Sequence, residues 1–194
     1  MILFDPGHAT PTANGMDYGA CNGPLREADV ALEVCILAAA AVRAHGFSVG
    51  LTRIDNSGLT VAKRKQLITG DLVEAVISVH ANDATSLTVN GHETFVSSFN
   101  AESQRLGKSI VASLITGERI APRKPPIKTR LNSATGKDYY YVIGEPTKKG
   151  IPAVMVELGF IRHVKDAAVL GSFWGRFGLA HLLGQGVLNY LGVV

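Results

Sequence analysis

The chain has 194 residues, of which 46% are hydrophobic and 18% charged, with a net charge of +3 and a pI near 8.9. Those values fit one globular domain with ample core material, and the charge excess is too mild to demand a polyanionic partner. No apolar run reaches the roughly 18 residues of a membrane span, so no membrane insertion is expected.

Ile2 to Asp5 is a short apolar run closed by the turn signal Pro6-Gly7, and it reads as a strand. It lacks the basic start and small-residue cleavage site of a signal peptide. The chain is therefore expected to be made in the cytoplasm and to reach any outer substrate by release. From Glu27 to Ala44, Val30, Val34, Leu37 and Ala41 recur at helical spacing, and Gly46 follows as a stop. Phe47 to Thr52 alternates like a strand, and Thr60 to Leu72 suits a second helix. Val76 to Val79 and Glu93 to Ser97 read as strands, and Glu102 to Thr116 as a third helix.

Residues 119 to 138 are rich in Lys, Arg, Pro and Gly and read as a long surface loop. Its basic cluster has no aromatic platforms or DNA-binding motif beside it, so no nucleic-acid partner is expected. Tyr139 to Ile143 and Ala153 to Val156 are further strand candidates. The last helix carries Phe173, Phe177, Ala180, Leu183, Val187 and Leu191 along one face. This alternation argues for an α/β domain around a central, mostly parallel sheet. Aromatics are only 7% while Ala and Gly are plentiful, which predicts close packing of small side chains. Cys21 and Cys35 lack CxxC spacing, so a cysteine-built zinc site is excluded. Whether they pair is left open.

Three segments share one form, an apolar strand that delivers a metal-competent residue at its carboxyl end. They are ILFDPGH with His8, VISVHAND with His80 and AVMVELGF with Glu157. Parallel strands would bring these residues to one sheet edge, where sites of open α/β sheets form. Glu27 begins the first long helix, and a right-handed connection returns its start to that edge. Two His and one Glu make a zinc site with a position open for water. A second carboxylate can then move the water's proton. Singly, each residue also has a plain reading: His8 in a turn, Glu27 at a helix start, His80 in the core. Glu157 resists one, because a carboxylate inside an apolar strand is costly to bury alone.

Together with GPLREADVALEV, GFSVGLTR, GHETFV, IKTR and IPAVMVELGFI, these segments resemble the zinc-dependent N-acetylmuramoyl-L-alanine amidases, the amidase 3 family. The motifs stand in the family's order over nearly the whole chain. The resemblance implies a three-layer fold, a twisted and mostly parallel sheet of about six strands flanked by helices. It implies zinc (Zn2+) on His8, Glu27 and His80, with Glu157 as the catalytic base. It implies cleavage of the amide between N-acetylmuramic acid and L-alanine in peptidoglycan. Residues 1–194 are then one catalytic domain without a separate wall-binding module, acting on the cell wall and expected to be a monomer. Ala9-Thr10 departs from the family's Gly-Gly after the first His. Asn82 and Arg130 are candidate substrate contacts, Arg130 through bidentate pairing, and His92 reads as a solvated residue. The same ligands would also serve a zinc peptidase or deacetylase acting on wall material. A non-catalytic wall-binding module of the same fold is the remaining reading.

Overall fold

The computed structural model describes Met1–Val193. β1 (Ile2–Pro6) is followed by two short hairpins, β2 (Thr10–Thr12) with β3 (Gly15–Asp17) and β4 (Cys21–Asn22) with β5 (Leu25–Arg26), and then by α1 (Glu27–Ala44). Next come β6 (Val49–Leu51), α2 (Val61–Ile68), β7 (Ala75–Asn82), β8 (His92–Val96), α3 (Ala101–Thr116) and β9 (Pro122–Lys128). α4 (Tyr141–Thr147), β10 (Ala153–Phe160), α5 (Val164–Gly171) and α6 (Phe173–Tyr190) complete the order. The six longer-range strands form one sheet in the order β6-β1-β7-β10-β8-β9. β6, β1, β7 and β10 run parallel, and β8 and β9 run against them. The expected α/β fold with a six-stranded, mostly parallel sheet is the one observed.

Strand alternation sorts each strand's side chains onto two faces. Ile2, Phe4, Ile77, Val79, Val154 and Val156 pack against α1, α3, α5 and α6. Leu3, Val76 and Met155 face the thinner layer built by α2 and α4. Period two therefore puts Asp5, Ser78, His80 and Glu157 on that second face as well. There the shorter helices leave the carboxyl ends of the strands uncovered. α1 keeps the bounds read from its periodicity, and its buried side is Ala28, Ala31, Val34, Cys35, Ala38 and Val42. Those small residues allow the close helix packing that the composition predicts.

Three local expectations are corrected and one open question is answered. The 119–138 segment is not all loop, because β9 within it pairs with β8 at the sheet edge. Its prolines are tolerated there, since an edge strand can spare N–H groups. Tyr139 to Ile143 is not a strand. Tyr141 starts α4, where burial of Val142 and Ile143 against the sheet overrides their strand preference. Phe173 and Phe177 are not on the buried face of α6, being 50% and 46% exposed. Their partners are each other and Trp174, with ring centroids 5.1–6.2 Å apart. Cys21 and Cys35 are both free thiols, one exposed and one buried.

Candidate active site

The site grows from the carboxyl end of β1. Asp5 is fully buried and accepts hydrogen bonds from Thr52 Oγ1 at 2.6 Å and Ser78 Oγ at 2.8 Å, and it also pairs with Arg64. Arg64 then donates to the carbonyls of Pro6 and His8. Arg53 donates to the carbonyls of Pro6 at 3.1 Å and Gly7 at 2.6 Å. Two buried guanidinium groups thus grip three successive carbonyls of the turn that ends in His8. They hold a backbone that L residues disfavour, with φ at +59° for His8 and +51° for Ala9. In that position the His8 ring faces Glu27 and His80.

Glu27 is the first residue of α1, where the helix dipole favours a carboxylate. Its neighbouring loop supplies the helix cap, since Glu27 N–H and Ala28 N–H donate to the carbonyls of Ala20 and Tyr18. In return the Glu27 carboxylate accepts from Ala20 N–H at 2.9 Å and Ala81 N–H at 3.1 Å. Its Oε1 lies 3.1 Å from His8 Nε2 and 2.9 Å from His80 Nδ1. The ligand atoms of His8, Glu27 and His80 all lie within 4.8 Å of one another. Two glycines make this approach possible. A Cβ on Gly7 would fall 2.4 Å from His80 Cε1. One on Gly19 would fall 2.5 Å from Glu27 Oε2, and Gly19 has a left-handed φ of +74°.

The electrostatics follow from this crowding. Burial disfavours a charged His8 ring, but the Glu27 and Asp17 carboxylates outweigh it and push His8 up to about 9. Burial also penalises ionised Glu27, yet hydrogen bonds from His8 and His80 hold it well below the usual carboxylate range. Glu157 stands beside them with the opposite shift. It is in register with His80 on β7 and with Glu93 on β8. Burial raises it to about 7, with Glu27 and Glu93 adding to the rise and His80 and His8 opposing it. Its Oε2 is buried with no hydrogen-bond partner. His8, Glu27, His80 and Glu157 line one cleft of about 430 Å³.

This donor set fits a divalent metal. It offers two imidazole nitrogens and one carboxylate, convergent and largely desolvated, as zinc sites do. Beside it is an orphaned carboxylate oxygen with a raised proton affinity. Residues 2–188 match the family model of the N-acetylmuramoyl-L-alanine amidases, amidase 3. The chain belongs to the N-acetylmuramoyl-L-alanine amidase family. It is accordingly a hydrolase of cell-wall peptidoglycan with N-acetylmuramoyl-L-alanine amidase activity.

Among relatives, the protein YqiI of Bacillus subtilis is 28% identical over 191 residues, covering 97% of this chain and 84% of its own. The germination-specific N-acetylmuramoyl-L-alanine amidase of Bacillus subtilis is 27% identical over 204 residues, covering 98% and 79%. Among solved structures, the CwlD amidase from Clostridioides difficile, determined in complex with the GerS lipoprotein, superposes with a TM-score of 0.82 at 25% identity. That match covers 100% of this chain and 98% of CwlD.

Other residues of this amidase fall into place around the cleft. Asn82 lines it, with Nδ2 donating to Glu93 Oε1 at 3.0 Å. Arg130 stands behind the cleft wall. Its guanidinium lies 3.9 Å over the Tyr139 ring and donates at 3.1 Å to the hydroxyl of Tyr140, which does line the cleft. His92 is not solvated. It is 1% exposed on β8, with both ring nitrogens unpartnered, and burial lowers it to about 4. Four functional-site residues escaped the sequence reading: Asp17, Arg53, Arg64 and Glu93. Glu93 is a buried carboxylate held by Asn82, by Arg123 Nε at 3.2 Å and by Lys128. Glu93 stands in GHETFV beside other polar residues, so it lacks the apolar setting that makes Glu157 conspicuous. The two arginines bind distant carbonyls and leave no local pattern.

Proposed function

We propose that this amidase holds one zinc ion on His8, Glu27 and His80 and uses Glu157 as the general base. The bond it cuts joins the lactyl group of N-acetylmuramic acid to L-alanine in peptidoglycan. The observation that carries this reading is the convergence of three ligand atoms within 4.8 Å beside the one carboxylate raised to about 7. Bound zinc supplies a Lewis acid that acidifies water and polarises the amide carbonyl. Glu157, poised near neutrality, takes the proton of the attacking water and returns it to the departing alanine nitrogen. Burial keeps bulk water from competing for that proton. Asn82, which lines the cleft, is the substrate contact this reading favours, and Arg130, outside the lining, would act through Tyr140.

The described residues gather around one six-stranded sheet, which supports reading them as a single catalytic domain. Among the described residues no helix is long and apolar enough to cross a membrane. Purified peptidoglycan should yield new free alanine amino groups on digestion. A chelator should abolish that release and added zinc restore it. New reducing sugars in place of alanine amines would overturn the assignment of the bond.

A further inference from the structure

We infer that Asp17 is a positioning residue that fixes which nitrogen of the His8 ring faces the metal. The inference rests on reading His8 as a ligand. His8 Nδ1 lies 3.1 Å from Asp17 Oδ2, while His8 Nε2 faces Glu27 Oε1 at 3.1 Å. A carboxylate only accepts, so once the ring is neutral, as a metal requires, Asp17 keeps the remaining proton on Nδ1 and leaves the lone pair on Nε2. Metal-bound histidines take their orientation and basicity from such an outer carboxylate.

The backbone is shaped to make this contact. After the left-handed pair His8-Ala9, β2 and β3 form a hairpin whose last residue, Asp17, pairs in register with Thr10. The hairpin carries the chain out and back, so that a residue nine positions on returns to the ring it left. Asp17 is itself oriented, because its Oδ1 accepts from Gly19 N–H at 2.8 Å. Gly19 is the glycine whose missing Cβ lets Glu27 and His8 meet. One carboxylate therefore accepts from two donors, a ring N–H and a backbone N–H.

An amide cannot do both. If the side chain of Asp17→Asn kept the Gly19 bond through its oxygen, its NH2 would face Nδ1 and drive the ring proton onto Nε2, the ligand atom. If the amide turned over, a donor would face Gly19 N–H. The isosteric change is thus expected to be no milder than truncation. A role in merely holding the hairpin predicts the reverse, since the amide keeps the volume and one hydrogen bond.

The experiment is a zinc competition titration against a chromophoric chelator at pH 7.5, on wild type, Asp17→Ala, Asp17→Asn and His8→Ala. Far-ultraviolet circular dichroism checks that each variant is folded. Outer carboxylates of this kind contribute about 10–100-fold to metal affinity. Asp17 is 45% exposed, which places the expected loss near tenfold. Asp17→Asn should bind zinc at least as weakly as Asp17→Ala. In zinc-loaded wild type, 15N spectra should show a protonated Nδ1 on His8. Asp17→Asn binding zinc as tightly as wild type would overturn the proposal. His8→Ala binding as tightly as wild type would instead overturn the ligand assignment on which it rests.

Discussion

The two halves of the site are made in different ways. His80 and Glu157 come from β7 and β10, adjacent parallel strands whose register sets the two residues side by side. Both strands are nearly all buried, and their alternation alone aims the side chains into the cleft. His8 and Glu27 belong to the other half. There a left-handed turn, two hairpins and a helix start replace the strand, and hydrogen bonds replace apolar packing. Non-glycine residues in the left-handed region cost on the order of 1–3 kcal/mol each. The bonds from Arg53 and Arg64 to three carbonyls, being charge-assisted, contribute about 1.5–3 kcal/mol apiece and offset that strain. A sheet edge positions two groups with little dedicated machinery, whereas an irregular segment requires a buried polar scaffold of its own.

The sharpest way to separate the halves is to remove one group from each. Glu157→Ala, on the strand half, should lower kcat by about 10²–10⁴-fold while zinc content by metal analysis stays near one per chain. Glu27→Ala, on the loop half, should abolish stoichiometric zinc. If Glu157→Ala also empties the site, the division between chemistry and metal binding fails. Next in size is Arg64→Ala. It leaves Asp5 buried with only hydroxyl partners and frees the carbonyl of His8, while that of Pro6 keeps its bond from Arg53. Breaking a buried ion pair from one side typically costs about 3–5 kcal/mol. Denaturant unfolding of the metal-free protein should show that loss, and a change under about 1 kcal/mol would mean the clamp is not what holds the turn.

The same division explains what the sequence makes legible. Strands β1, β7 and β10 announce their chemistry, because a His or Glu at the end of an apolar run stands out locally. α1 shows its bounds through periodicity, and Glu27 stands at its start. The loop half is legible only as two candidate ligands, His8 and Glu27. The partners that shape it, Arg53, Arg64 and Asp17, act on backbone carbonyls or a ring edge and leave no periodic mark. β9 is hidden by prolines that an edge position tolerates. α4 is hidden because three consecutive tyrosines with Val142 and Ile143 carry strand preference, and only tertiary burial makes the stretch from Tyr141 helical. His92 illustrates the opposite error. A polar residue beside a glycine suggests solvent, yet the strand turns its ring into the core.

Gly7→Ala tests whether the halves must touch. The new Cβ would lie 2.4 Å from the His80 ring, so the ring has to shift while the fold has no other reason to change. A displacement of about 1 Å at a catalytic site costs on the order of 100-fold. A fall of that size in kcat/KM with a nearly unchanged unfolding midpoint is the expected result. An equal loss of stability would place the damage in the turn and not in the His80 ring.

The smallest effect separates the halves by pH. In the metal-free protein His8 stands at about 9, above its ordinary 6.5. Its contribution to metal-free stability is therefore full below about pH 6.5 and lost as pH rises through about 9. Zinc needs the neutral ring, so binding near pH 7.5 should release one proton, and affinity should rise about tenfold per pH unit until it levels near 9. With Glu157 as the proposed base, turnover should answer to the strand half, since Glu157 would have to be ionised to accept a proton. kcat should fall as pH drops below about 7, or somewhat lower once a nearby cation favours the carboxylate. Competition titrations and saturating-substrate rates across roughly pH 5.5–9.5 should thus bend at two different places. One shared bend would mean that a single group governs both binding and turnover, and the two-part construction of the site would be wrong.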